Sequence, residues 1–164
     1  MTTALLRTIH KQDQQALADR YNGTGLKLYD CEWLIMKLRH RLPLEHVTTA
    51  HHLLSLQATV EGARHLSERV DVTRNAAALA TEARIDAART LAGYEGAVAS
   101  RLLTRGVRCL RAIYEGCSMH EARRRMGYRS DASHPIAKLV QLTMLAAQDY
   151  RDECTAQLER WRAL

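Results

Sequence analysis

Residues 116–131, GCSMHEARRRMGYRSD, decide how the C-terminal third of the chain is organised. Ser118 lies three residues before Glu121, which is the spacing of a capping box. In that motif each side chain accepts a hydrogen bond from the other residue's backbone N–H at the start of a helix. Gly116 before the box and Gly127 after it are suited to the left-handed conformation that ends helices. The stretch therefore predicts a short helix between two glycine turns.

The apolar residues of this short helix share one face, since they fall within about 60° of one another at 100° per residue: Met119, Ala122 and Met126. Arg124 falls nearly opposite that face, and Arg123 and Arg125 flank it. The three consecutive arginines are thus predicted to surround a buried stripe without interrupting it.

The rest of the chain predicts an all-α, multi-helix bundle. Apolar residues recur every three or four positions, and the alternating pattern of strands is absent. Only two of the 164 residues are proline. Before the quoted stretch, helices are expected over residues 3–21, 29–42 (ending at Pro43), 45–70, 74–94 (ending at Gly93 and Gly96) and 98–115.

A long final helix is expected after the glycine turn, with Ser130 or Asp131 as its cap and Pro135 in its first turn, where proline is tolerated. Its apolar residues hold one face within about 100°: Ile136, Leu139, Val140, Thr143, Ala147, Tyr150, Cys154, Leu158 and Trp161. Leu142 and Leu145 lie off that face. This second apolar surface favours a homodimer.

Two regions are predicted from this pattern, although no low-complexity linker separates them. Residues 1–96 form an N-terminal helical region for packing, dimerisation or partner contact. Residues 97–164 form the region that contains the two helices around Gly127 and the long C-terminal helix.

The positive charge of the chain is concentrated in one window. Residues 101–129 carry eight arginines and two glutamates, and this excess equals the net charge of +6 of the whole chain. A localised basic patch is typical of proteins that bind nucleic acid. A GC-rich genome would explain why 20 arginines accompany 4 lysines, but it does not explain their clustering.

A capped short helix, a glycine turn and a second helix form the plan of a DNA-binding helix-turn-helix, whose second helix enters the major groove. The candidates for reading base edges are Arg129, Ser130, Ser133, His134, Lys138 and Gln141. The candidates for contacting phosphates are Arg108, Arg111, His120, Arg123, Arg124 and Arg125. The alternative is a structural helical hairpin whose arginines are only solvated.

The stretch GCSMHEARRRMGYRS resembles a pattern of helix-turn-helix regulators, G-x-S-L-x-E-(apolar)-(small)-R-R-L-G-Y-R-S. These regulators include sigma-factor region-four-like domains and a family of alphaproteobacterial and phage domains of unknown function. The resemblance covers the C-terminal part only, and it implies sequence-specific binding of double-stranded DNA in transcriptional control, plausible for a phage or mobile element. The chain departs from the pattern at Arg123, which stands at the small position, and at Pro135 in the second helix.

Other functions find less support. The four cysteines form no C-x-x-C pair, although Cys109 and Cys117 could pair if a turn brought them together. His46, His51, His52 and His65 are not spaced to converge on one metal, and no catalytic motif occurs. We therefore expect a non-enzymatic, cytoplasmic protein without cofactor, metal or membrane contact. Two alternatives stay open: a small terminase-like packaging subunit, and a helical adaptor or anti-defence inhibitor that binds an acidic protein.

Overall fold

The described part of the chain is predominantly helical and contains no β-strand, as the sequence predicts. A computed structural model describes residues 33–67, 74–129 and 133–163, and the side chains of 33–61, 81–129 and 135–163. The predicted helix over 3–21 lies outside these residues. The elements are α1 (Leu34–Leu38), a 3₁₀ turn (Arg39–Arg41), α2 (Leu44–Ser67), α3 (Arg74–Tyr114), α4 (Met119–Arg125) and α5 (Ser133–Arg162).

The predicted stop before Pro43 is confirmed. Proline disfavours the helical conformation in the residue before it, and Leu42 is extended, with φ −115° and ψ 142°. The Pro43 carbonyl then accepts hydrogen bonds from the backbone N–H groups of His46 and Val47, so α2 begins here, at Leu44. The last turn before Pro43 is a 3₁₀ turn, where the pattern predicted continued α-helix.

The predicted helix end at Gly93 and Gly96 is wrong, because α3 continues through both glycines and its break lies at Leu103. Glycine lowers helix stability but does not forbid helix. Gly93 has a packing role, since a Cβ there would collide with the Tyr150 hydroxyl. Leu103 has φ 54° and ψ −156°, a backbone region that is otherwise almost restricted to glycine. We call residues 74–102 the first arm of α3 and residues 104–114 the second arm.

The two arms of α3 fold back on each other at Leu103. In a straight helix, residues sixteen apart lie about 24 Å from each other, yet Arg111 Nε is 2.8 Å from Glu95 Oε1. Gly106 permits the close approach, because a Cβ on it would collide with Leu102 and with Val98. The break therefore makes a tight helical hairpin.

One hydrophobic core is shared by α1, α2, both arms of α3, α4 and α5, and it takes residues from both sides of residue 96. Gln141 contacts Arg41 and Gln148 contacts Thr49, so α5 runs in the same direction as α2. The largest side chains in this core with less than 2% exposure are Leu34, Ile35, Leu53, Leu110, Ile113, Ile136 and Met144.

The final helix is buried along only part of its predicted face. Ile136, Val140, Thr143 and Ala147 are buried as expected, but Leu158 is 59% exposed and Trp161 is 77% exposed. The apolar period fixes which face of a helix is apolar, but it does not fix where the neighbouring elements end. The last three turns of α5 are largely exposed and extend beyond the rest of the bundle that the structure describes.

Candidate nucleic-acid interface

Both predicted glycine turns are confirmed. Gly116 has φ +67° and Gly127 has φ +71°. At the first, the N–H of Cys117 donates to the carbonyl of Ala112, five residues earlier; at the second, the Tyr128 N–H bonds to Arg123 in the same way. This pattern is the Schellman motif, in which the glycine occupies the left-handed position. The two motifs fix both boundaries of α4.

Ser118 caps α4, as the sequence predicts. Its hydroxyl accepts a hydrogen bond from the Glu121 backbone N–H at 3.2 Å. The Glu121 carboxylate contacts Arg124 and Arg125 instead of accepting the reciprocal hydrogen bond of the capping box from the Ser118 backbone N–H. Ser118 also forms an isolated antiparallel bridge with Trp33, which ties the start of α1 to the α4 cap.

The predicted buried face of α4 is confirmed. Ala122 is fully buried and Met126 is 9% exposed, and both belong to the same core as Ile136 of α5, while Met119 is partly buried against that core. Ala122 is the small residue of this buried face, while Arg123 beside it is half-buried. Arg124, predicted to lie opposite, has a side chain that is 75% exposed.

Several arginines of the basic window form ion pairs within the protein. Arg124 Nη2 is 2.8 Å from Glu121 Oε2, and Arg125 contacts both Glu121 and Glu115. The hydrogen bond from Arg125 lowers the pKa of Glu121, and the contact with Glu115 raises the pKa of Arg125. Surface pairs of this kind contribute little to stability, but they reduce the charge that α4 offers to a ligand.

On the second arm of α3, one arginine is held in an ion pair and two others keep their charge available. Arg111 is bound to Glu95, whose pKa is lowered by that hydrogen bond. Arg105 stacks on Tyr128, with its guanidinium carbon 4.8 Å from the ring centroid, a cation–π contact that leaves its charge unneutralised. Arg108 is exposed.

Of the remaining candidates from the sequence, His120 lies in the first turn of α4 and the others lie around the turn into α5. His120, Arg129, Lys138 and Gln141 are exposed. Ser133 and His134 belong to the first turn of α5, but their side chains lie outside the described set, as does Ser130 entirely. The structure therefore places Lys138 and Gln141 on the outward side of the first turns of α5.

A basic group that the sequence pattern did not single out lies beside those turns. Gln141 Nε2 donates a hydrogen bond of 3.0 Å to the carbonyl oxygen of Arg41. This bond brings the 3₁₀ turn, whose residues Arg39, His40 and Arg41 are all exposed, against α5 near Lys138. The signal in the sequence was the run RHRL before Pro43, but nothing local connects it to a helix one hundred residues later.

Among the residues whose side chains the structure describes, the outward side of the first turns of α5 is exposed. Pro135, Lys138, Leu142 and Leu145 are exposed, while Ile136, Ala137 and Val140 on the other side are buried. We call the exposed residues Arg39, His40, Arg41 and Lys138 the basic edge. The exposed face of α5 thus lies between the residues buried in the core and the 3₁₀ turn.

Cys109 and Cys117 are buried free thiols, so they do not form the disulfide that the sequence left open. Burial raises the pKa of Cys109 to about 12.

Within the described residues, none of the helices has the length and apolarity that crossing a bilayer would require.

Searches of protein-family models, of curated proteins and of solved structures found no match to this chain.

Proposed function

We propose that this protein is a non-enzymatic regulator that binds double-stranded DNA through the first turns of α5 and the basic edge. The observation that carries the proposal is the Gln141–Arg41 hydrogen bond. It sets three basic residues of the 3₁₀ turn beside an exposed helix start that already carries Lys138. Cations beside a helix end suit contact with the phosphates that flank a groove.

The order along the chain of a short capped helix, a glycine turn and α5 supports this assignment. The short helix α4 is held by a serine cap and two Schellman turns, and its Ala122 packs into the same core as Ile136 of α5. In helix-turn-helix proteins the first helix crosses the DNA backbone while the second presents its start to base edges. On this plan Lys138 reads guanine, because its ammonium can donate to O6 and N7.

The ion pairs of α4 change which arginines are expected to contact the DNA phosphates. Arg124 and Arg125 are held by glutamates, so they contribute less to phosphate binding than the three consecutive arginines suggest. Arg39 and Arg41 contribute more. The protein would act as a homodimer, because two copies present two helices to successive major-groove segments of a two-fold site.

The test is DNA binding by the full chain, measured by fluorescence anisotropy on pooled genomic duplexes from about 50 to about 400 mM salt. We expect Arg39→Ala with Arg41→Ala to weaken binding to all duplexes and to make the slope of log K against log salt shallower by about 2. A matched control, Arg84→Ala with Arg89→Ala, removes the same charge from the first arm of α3 and should leave the slope unchanged.

Equal slopes for the two double variants would reject the basic edge as the binding surface. Failure of the wild-type protein to bind any duplex at about 50 mM salt would reject DNA binding altogether. In that case the basic edge would fit an acidic protein partner better. Selection of bound duplexes from a random pool then tests sequence specificity, which requires an enriched motif.

A further inference from the structure

The last three turns of α5 carry an apolar stripe with no described neighbour to cover it. Leu158 is 59% exposed and Trp161 is 77% exposed. Both continue the face that is buried at Ala147 and half-buried at Tyr150 and Cys154. An exposed tryptophan at the end of an otherwise packed helix face is typical of an interface, because tryptophan buries a large apolar area.

The positions of two oppositely charged residues beside this stripe favour an antiparallel second copy as its partner. Glu153 and Arg160 are seven residues apart, so they lie on the same flank of the stripe. Both are exposed, and neither forms an ion pair with another described residue. A second copy that runs antiparallel would set its Arg160 beside Glu153, and symmetry would repeat that pair. Such pairing leaves opposite charges in contact along one flank.

We infer that residues 152–162 of α5 bind the same segment of a second copy in an antiparallel arrangement. Leu158 and Trp161 form the apolar contact, and two Glu153–Arg160 pairs between the copies fix its direction. This inference specifies the interface of the homodimer proposed above, but it does not require DNA binding. The contact is short, so we expect a dissociation constant in the micromolar range.

The experiment is sedimentation velocity of the full chain without DNA, from about 1 to about 200 µM. The wild type should shift from monomer to dimer over this range. Leu158→Ala with Trp161→Ala should stay monomeric throughout, with an unchanged circular dichroism spectrum, because both side chains are exposed. Leu142→Ala with Leu145→Ala removes the two off-face leucines that the sequence pattern associated with a homodimer; the inferred interface does not use them, so this variant should dimerise like the wild type.

A charge reversal tests the direction of the pairing. Glu153→Arg alone and Arg160→Glu alone should each weaken the dimer about tenfold, because each sets like charges together. The two changes combined should restore it, because the pairs are re-formed with exchanged signs. A wild-type monomer at the highest concentration would overturn the inference, and so would a dimer that survives loss of Leu158 and Trp161. Failure of the combined reversal to restore the dimer would overturn the antiparallel arrangement.

These experiments distinguish failure of the proposed DNA binding from failure of the proposed dimer interface. Loss of pairing leaves the basic edge intact, so a monomeric variant should still show the salt-dependent binding of a single copy. Loss of the basic edge should leave the sedimentation behaviour unchanged.

Discussion

Arg111 donates two hydrogen bonds to Glu95, from Nε to Oε1 and from Nη2 to Oε2, both at 2.8 Å. The Tyr114 hydroxyl donates a third at 2.5 Å to Oε1. These bonds close the hairpin of α3 at a point eight residues on either side of Leu103. The carboxylate is largely buried, with 22% of its side chain exposed, so the pair holds the second arm against the first.

Glu95→Gln should lower the free energy of unfolding by about 1–2 kcal/mol near pH 7, because the neutral amide keeps the geometry but loses the charge-assisted bonds. The pKa of Glu95 lies below its usual value of 4.5. The stabilisation is therefore fully present above pH 4.5 and is lost as the pH falls through the lowered pKa.

The measurement is urea unfolding of both proteins near pH 7 and near pH 3. The gap between wild type and variant should shrink at the lower pH. Glu82→Gln, an exposed glutamate on the same arm, is the control and should change little at either pH. A gap that stays constant across this range would contradict the role of the Glu95 charge.

Leu103→Gly should raise the free energy of unfolding by about 1 kcal/mol, since glycine adopts the Leu103 backbone conformation without steric cost. Little apolar burial is lost, because Leu103 is 74% exposed. Leu142→Gly makes the same exchange at an exposed helical position and should cost about 1 kcal/mol. Thermal unfolding of the two variants should thus shift in opposite directions, and a shared downward shift would show that the break at Leu103 is not strained.

Gly96→Ala should stabilise the protein by about 1 kcal/mol, because Gly96 is inside a helix and a Cβ there meets no atom within 4 Å. Gly127 has the same free space but a φ of +71°, so Gly127→Ala should cost about 1–2 kcal/mol. Because a Cβ has free space at both sites, the two substitutions differ only in the backbone conformation that the alanine must adopt. Chemical denaturation of both variants measures the difference, and a destabilising Gly96→Ala would instead favour a helix end at residue 96.

Glu121→Gln should strengthen DNA binding, because it releases Arg124 and Arg125 from the carboxylate they share. The slope of log K against log salt should become steeper by about 1. Stability should fall by less than about 1 kcal/mol, since both arginine side chains are at least 40% exposed. The Ser118 cap survives, because it uses the Glu121 backbone N–H.

The same anisotropy series checks this prediction, with Glu82→Gln as the control for the change in net charge. If both variants steepen the slope equally, the effect is one of overall charge, and Arg124 and Arg125 have no specific part in binding.

Features set within a few residues could be predicted from the sequence. The Ser118 cap needs only the residue three positions on, and the Gly116 and Gly127 turns close hydrogen bonds that span five residues. The buried face of α4 follows from the helical period of Met119, Ala122 and Met126. The candidate site was predictable to the same extent: its short helix and its turn, but not the ion pairs that engage its arginines.

Features that depend on distant residues could not be predicted in this way. The residue at the break is a leucine, and the residues that hold the hairpin closed, Glu95 and Arg111, lie on opposite arms. The Arg39–Arg41 turn joins the candidate site through a bond to Gln141, one hundred residues away. A contact of that kind is selected by the packing of α5 on α2, which no local pattern encodes.

The sequence by itself determined the helical class, the boundaries of α4 and the concentration of arginine around it, because these depend on backbone propensity, local caps and composition. Only the tertiary structure decided which arginines are matched by glutamates, which basic turn lies beside α5, and which part of the α5 apolar face the described residues leave exposed. Those outcomes depend on where separate helices meet, and meeting points are set by the total burial of the core rather than by any single segment.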